Sequence, residues 1–117
     1  MVETEYRLDE AARATIAADG TGQVLNVGPK LPGERWHITI MSANGPAGAK
    51  LQVMRGNSFD ASRQLDVTVR ADADTSACDI TLMSGEVVSF WWTNGTAGSV
   101  MTCSLNGSRY VQGRRAY

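Results

Sequence analysis

His37 is the one histidine in this sequence, and histidine is the side chain most often used as a general base. A general base needs a nucleophile or carboxylate held beside it, and a histidine metal site needs further strong ligands. The sequence has no G-x-S-x-G nucleophile turn and no C-x-x-C pair. His37 falls opposite Trp36 and Ile38 in an alternating segment, and reads as a partly exposed strand residue. Asp72, Asp74 and Asp79 form the one carboxylate cluster. Their D-x-D spacing is that of the start of a calcium loop, but the glycine and distal glutamate of an EF-hand are missing, so a solvated loop is expected. Gly20-Thr21-Gly22 and Gly95-Thr96-Ala97-Gly98 lie between strands, without the helix N-terminus that holds a phosphate. Asn94-Gly95-Thr96 and Asn106-Gly107-Ser108 fit the glycosylation pattern and read as turns. The expectation is therefore no catalytic residue, no cofactor and no metal site. Cys78 and Cys103 are expected as small buried apolar residues, able to bond each other only if their strands are neighbours.

Surface chemistry is more informative. Trp91 and Trp92 are adjacent, so in a strand one of them faces away from the core. An outward Trp91 is either covered by a loop or arm, or placed in a subunit interface, or used as a platform on which a sugar stacks. Phe59, Tyr110 and Tyr117 are candidates to extend that surface. The chain ends differ in charge. Glu3 and Glu5 lie in an acidic first ten residues, and Arg109, Arg114 and Arg115 lie near the other end. Opposite charges of this kind fix register and partner choice between copies more than they add affinity. The candidate interface set is Trp91, Tyr110, Arg114, Arg115, Tyr117, Glu3 and Glu5.

The elements that must position these residues are short strands. Twelve glycines against three prolines punctuate runs of β-branched and aromatic residues. Residues 1–10 show no alternation and read as an arm or edge extension. Residues 8–18 suit either a short alanine-rich helix or a strand entering a hairpin at Asp19-Gly20-Thr21-Gly22, and the returning partner Gln23 to Val27 favours the strand. Arg35 to Ser42 alternates, with Trp36, Ile38 and Ile40 on one face and His37, Thr39 and Met41 on the other. Lys50 to Arg55, Gln64 to Arg70, Cys78 to Leu82, Val87 to Thr93 and Val100 to Leu105 follow, and Asn106-Gly107 reads as a turn into a tail. About eight strands without a βαβ unit predict an all-β antiparallel sandwich of jelly-roll type. The expected organisation is an arm at 1–10, a sandwich at 11–110 and a tail at 111–117.

The 117 residues suit one domain, and a hydrophobic fraction of 43% is enough for one core. A net charge of −1 gives no field to hold nucleic acid or an anionic membrane. The apolar runs fall short of the roughly 20 residues a spanning helix needs. The acidic start, Met1-Val2-Glu3-Thr4-Glu5, lacks the basic and apolar stretches of a secretory signal, so use in the cytoplasm or release by lysis is expected.

An ordered set of signposts runs from about residue 12 to 110. They are Asp19-Gly20-Thr21-Gly22, Gly28-Pro29, Pro32-Gly33-Glu34-Arg35-Trp36, Ser76 to Leu82, Ser84-Gly85-Glu86, Trp92-Thr93 with Gly98, and Asn106-Gly107. In that order the chain resembles small β-sandwich accessory virion proteins of tailed bacteriophages, especially those of actinobacteria. The acidic N-terminal segment and the Trp91-Trp92 pair depart from that pattern. The resemblance implies a non-enzymatic head-decoration or head-fibre subunit, or a neck or minor tail subunit. It would be assembled into virions in the host cytoplasm, with other virion proteins and copies of itself as partners. The alternative is a carbohydrate-binding module that recognises host envelope glycans.

Overall fold

β-Branched and aromatic residues at alternate positions give strands that are apolar on one side only, and such strands must meet in pairs of sheets. The computed structural model describes residues 2–44, 48–65, 69–70 and 74–113. Eight strands occur among them: β1 (Val2–Thr15), β2 (Gly22–Val27), β3 (Arg35–Asn44), β4 (Lys50–Arg55), β5 (Val69–Arg70), β6 (Asp74–Leu82), β7 (Val88–Thr93) and β8 (Val100–Gly113). A single 3-10 turn, Ala61–Arg63, is the only helical element among the described residues. The strands form two four-stranded antiparallel sheets, ordered β1-β8-β3-β6 and β2-β7-β4-β5. In effect a long hairpin pairs β1 with β8, β2 with β7, β3 with β6 and β4 with β5. Wrapping then brings β8 against β3 and β7 against β4. This is the jelly-roll order, and the expected antiparallel β-sandwich is the fold.

The core is the layer between the sheets. Leu8, Ile38, Met41, Leu82, Met101 and Leu105 of the first sheet meet Leu51, Val53, Val88, Phe90 and Trp92 of the second. Each such side chain, fully buried, contributes roughly 1.5–3 kcal/mol relative to exposure. Cys103 lies in this layer and Cys78 is half-buried; both are free thiols. Their strands, β8 and β6, are separated by β3, so the two cannot be bridged. Burial raises the Cys103 thiol from its ordinary 9.0 to about 12, and burial and then the Asp79 charge raise that of Cys78.

Five sequence expectations change. The segment expected as an arm is not one: residues 2–10 belong to β1, paired with β8 in unbroken register from Val2↔Gly113 to Thr15↔Val100. This also settles residues 8–15 as strand rather than helix. Secondly, Asn106-Gly107 is not a turn, and residues 111–113 are strand rather than tail. β8 runs straight through the pair, which sits opposite a bulge in β3 between Ile38 and Ile40. A Cβ on Gly107 would lie 2.0 Å from the His37 carbonyl oxygen, so the glycine is there for backbone approach. Thirdly, the bulge inverts the phase of β3. Trp36 and Ile38 face the core as expected, but Ile40 is 42% exposed and Met41 is fully buried. Fourthly, Gln23 to Val27 is not the returning partner of residues 8–18, since β1 and β2 belong to different sheets. Lastly, Asp74, expected in a solvated loop, begins β6.

Two outcomes follow for the folded chain. Gly107→Ala drives a methyl into main chain and is expected to cost about 2–3 kcal/mol in chemical denaturation, with β3–β8 the disrupted pair. Because the folded Cys103 holds its proton more tightly than the unfolded chain does, its contribution to stability is complete below about pH 9 and is lost as pH rises towards about 12. Alkylation at about pH 8 should therefore spare Cys103 in the native chain and modify it in urea.

Candidate functional site

Period-2 geometry sends Val88, Phe90 and Trp92 of β7 into the core and leaves Trp91 on the outer face of the second sheet. The pairing places Gln23 of β2 on one side of Trp91 and Gln52 of β4 on the other. The chain leaving β4 at Arg55 then crosses over β7. Gly56 N–H donates to Val87 O at 2.9 Å, and the Ser89 hydroxyl donates to Gly56 O at 2.7 Å. Beyond β7 the loop reaches β2. Asn26 N–H donates to Asn57 Oδ1 at 2.9 Å, and Asn57 Nδ2 donates back to Asn26 Oδ1 at 2.6 Å. The next turn is closed by Asp60, which accepts from the Ser62 N–H and hydroxyl at 3.0 and 2.7 Å; these bonds hold its carboxyl below the usual carboxylate range.

This tethered loop buries Ser89 and Met54 and brings Phe59 edge-on to Trp91, with ring centroids 5.6 Å apart. Trp91 Nε1 donates to Ser89 Oγ at 2.8 Å, so its polar tip is satisfied and its rotamer fixed. Phe59 remains 52% exposed. A groove of about 500 Å³ lies beside the two rings, with Thr21, Gln23 and Thr93 among its walls. It presents flat aromatic surface next to amide and hydroxyl groups. That combination suits a protein side-chain anchor or a sugar ring.

Tyr110, Glu3 and Glu5 lie elsewhere, on the outer face of the first sheet. Glu5, Tyr110 and Arg35 form one row across β1, β8 and β3. The Arg35 guanidinium sits 4.0 Å above the Tyr110 ring and pairs with Glu3 at 3.1 Å. Glu5 Oε1 accepts from the Ser108 hydroxyl at 2.8 Å and from Tyr110 at 3.5 Å. Three candidate residues thus do meet, but as an intramolecular ladder, and Tyr110 does not extend the Trp91 surface. Arg114, Arg115 and Tyr117 lie outside the described residues, as does Asp72. His37 is half-exposed and its Nε2 is 2.7 Å from Asp79 Oδ1, across β3 and β6 on the same open face. Ser108 is opposite His37 in β8, but its hydroxyl is engaged by Glu5. Among the described residues no group of three His, Cys, Asp or Glu is placed to hold a metal ion.

Sequence reasoning missed Glu34. The carboxylate is 5% exposed in the β2–β3 connection. It accepts from the N–H groups of Lys30 and Leu31 at 3.1 and 3.3 Å, and from Trp36 Nε1 at 3.3 Å. Arg109 Nη1 lies 3.5 Å away. One side chain thereby closes its own loop and fastens it to β8. Arg109 also lies over the Tyr6 ring at 5.2 Å, and its buried Nε has no partner among the described residues. A cavity of about 430 Å³ beside this latch is lined by Ala12, Val24, Trp36 and Arg109, with Glu34 in its wall. The signal present in the sequence was a glutamate between a Pro-Gly turn and a tryptophan; its partner Arg109 is visible only once β8 lies beside β3.

Comparison of the chain with protein-family models, with curated proteins and with solved structures gave no match.

The latch makes a stability prediction. Glu34→Ala leaves three N–H donors and a guanidinium unpaired and is expected to cost about 2–4 kcal/mol in urea denaturation. Glu34→Gln keeps an acceptor for the loop and should cost clearly less.

Proposed function

We propose that the chain is a non-enzymatic structural subunit of a tailed-bacteriophage virion. In this reading it is a capsid decoration or head-associated protein, or a neck or minor tail protein, that binds the particle through protein–protein contacts. The observation that carries the contact role is the Trp91–Phe59 groove. Its two rings are held in advance by the Asn26–Asn57 and Ser89–Gly56 ties, so little rotamer freedom remains to be lost when a partner docks. An aromatic anchor of this kind, with polar groups at its rim, is how protein interfaces concentrate their affinity. The assignment to a virion rests on the ordered turns and strands from Asp19-Gly20-Thr21-Gly22 to Asn106-Gly107.

A second reading draws on the same groove. Gln23, Thr21 and Thr93 beside an exposed ring are the polar partners that a stacked sugar requires, which supports a module that binds host envelope glycans.

Purified particles of the phage that encodes the chain provide the test. The chain should be present in them in many copies by quantitative mass spectrometry. Recombinant protein should rebind particles stripped of it, and Trp91→Ala or Phe59→Ala should weaken rebinding by about ten-fold or more. Absence from the particle would overturn the virion assignment. Saturable binding to a glycan array, lost in Trp91→Ala, would replace it with the second reading.

A further inference from the structure

β1 ends the first sheet, and on its other side it is paired with β8 along all of Val2–Thr15 without a bulge. Alternate residues of β1 therefore direct N–H and C=O away from the sheet, over a length well above that of an ordinary strand. An edge of this kind is a template for another strand unless its side chains forbid pairing.

Of the registers with the axis near the middle of β1, from Tyr6 to Glu10, the charges permit one. Two copies joined at the same edge by a two-fold axis pair antiparallel. Residues facing each other across that ladder must share hydrogen-bonding phase, so the axis passes through a residue and not between two. Along the outer face β1 carries Glu3, Glu5, Arg7, Asp9, Ala11 and Arg13. With the axis through Leu8, Glu3 faces Arg13 of the second copy and Arg7 faces Asp9 of the second copy. Symmetry repeats each pair, Glu5 faces Ala11, and no like charges meet. The neighbouring registers fail. An axis through Arg7 sets Arg7 against itself and Glu5 against Asp9. An axis through Asp9 sets Asp9 against itself. Through Tyr6, Glu3 meets Asp9; through Glu10, Arg7 meets Arg13 and Glu10 meets itself. Charge that blunts the edge towards other strands thus matches a second copy best about Leu8; an axis at Ala11 also avoids like charges, but it aligns only residues 7–15 and forms only the Asp9–Arg13 pairs. Among the described residues the side chains of Arg7 and Arg13 make no ion pair or hydrogen bond within the chain, which leaves both cations available to that partner.

We infer that two copies of this chain pair antiparallel through β1, with the two-fold axis at Leu8, joining their first sheets into one eight-stranded sheet. The inference stands on β1 alone and goes beyond the proposed particle role.

Sedimentation equilibrium on the full chain at low salt tests it. The expected mass is twice 12.6 kDa, falling towards the monomer as salt screens the pairs. Arg7→Glu turns two attractive pairs repulsive and should weaken the dimer by about ten-fold or more. Asp9→Arg should do the same. Combining the two restores opposite charges and should bring affinity back to within about three-fold of the parent. Arg13→Glu sets like charges against Glu3 of the second copy and should also weaken the dimer, reading the same register through a second pair, and far-UV circular dichroism checks that each variant is folded. A monomer at all concentrations up to about 1 mM, a dimer indifferent to Arg7→Glu, or a swap that restores nothing would overturn the pairing. A monomer that still binds particles would do so while leaving the virion reading intact.

Discussion

The dry layer between the two sheets is the constraint on which the rest of the molecule depends. A 117-residue chain has one chance to bury enough apolar surface, and it does so with Phe90 and Trp92 from β7 set against Ile38, Met41, Met101 and Leu105 from β3 and β8. Apart, each sheet would expose that face to water. The jelly-roll winding answers the same need, placing β8 and β3 centrally in one sheet and β7 and β4 centrally in the other. Long-range pairings such as Val2 with Gly113 then follow from the winding and not from local preference.

With the interior filled by hydrocarbon, polar chemistry is confined to outer faces and loops, and most of it is used to hold the fold. Glu34 fastens the β2–β3 loop to β8, and the Asn26–Asn57 exchange fastens the β4–β5 loop to β2. The Glu3–Arg35–Tyr110–Glu5 ladder ties β1 to β8 and β3. Exposed ion pairs of this sort are each worth about 0–1 kcal/mol, so the ladder fixes register more than it adds stability. The proposed contacts use two surfaces among the described residues: the ringed groove at Trp91 and the charged edge of β1. They belong to different sheets, so one can be occupied without the other.

Much of the fold was legible in the sequence because half-buried strands betray themselves by period 2. The all-β class, the inward Phe90 and Trp92 and the outward Trp91 all follow from side-chain alternation alone, whereas the hairpin expected after Thr15 does not form, because β1 and β2 enter different sheets. What was illegible depends on pairing. The bulge beside Thr39 carries no local mark, yet it sends Met41 inward and Ile40 outward. Gly107 looks like a turn residue because Asn-Gly usually is one; only the approach of the His37 carbonyl shows its purpose. β1 lacks alternation in its first half because its outer face is charged and Tyr6, on its inner face, is 48% exposed. The same limit applies to the site. Trp91 and Phe59 could be named, but Gln23, Gln52, Arg35 and Arg109 become neighbours only when the register is known.

Native-state hydrogen exchange, resolved by residue, addresses the joint dependence of the two sheets most directly. Amides of Ile38, Met41 and Leu105 in one sheet and of Val53, Phe90 and Trp92 in the other should exchange slowest, with one common opening free energy equal to that of global unfolding. Exchange of the second-sheet amides at a much lower free energy than those of the first would mean that the sheets open independently, and would contradict a structure held together by the layer between them.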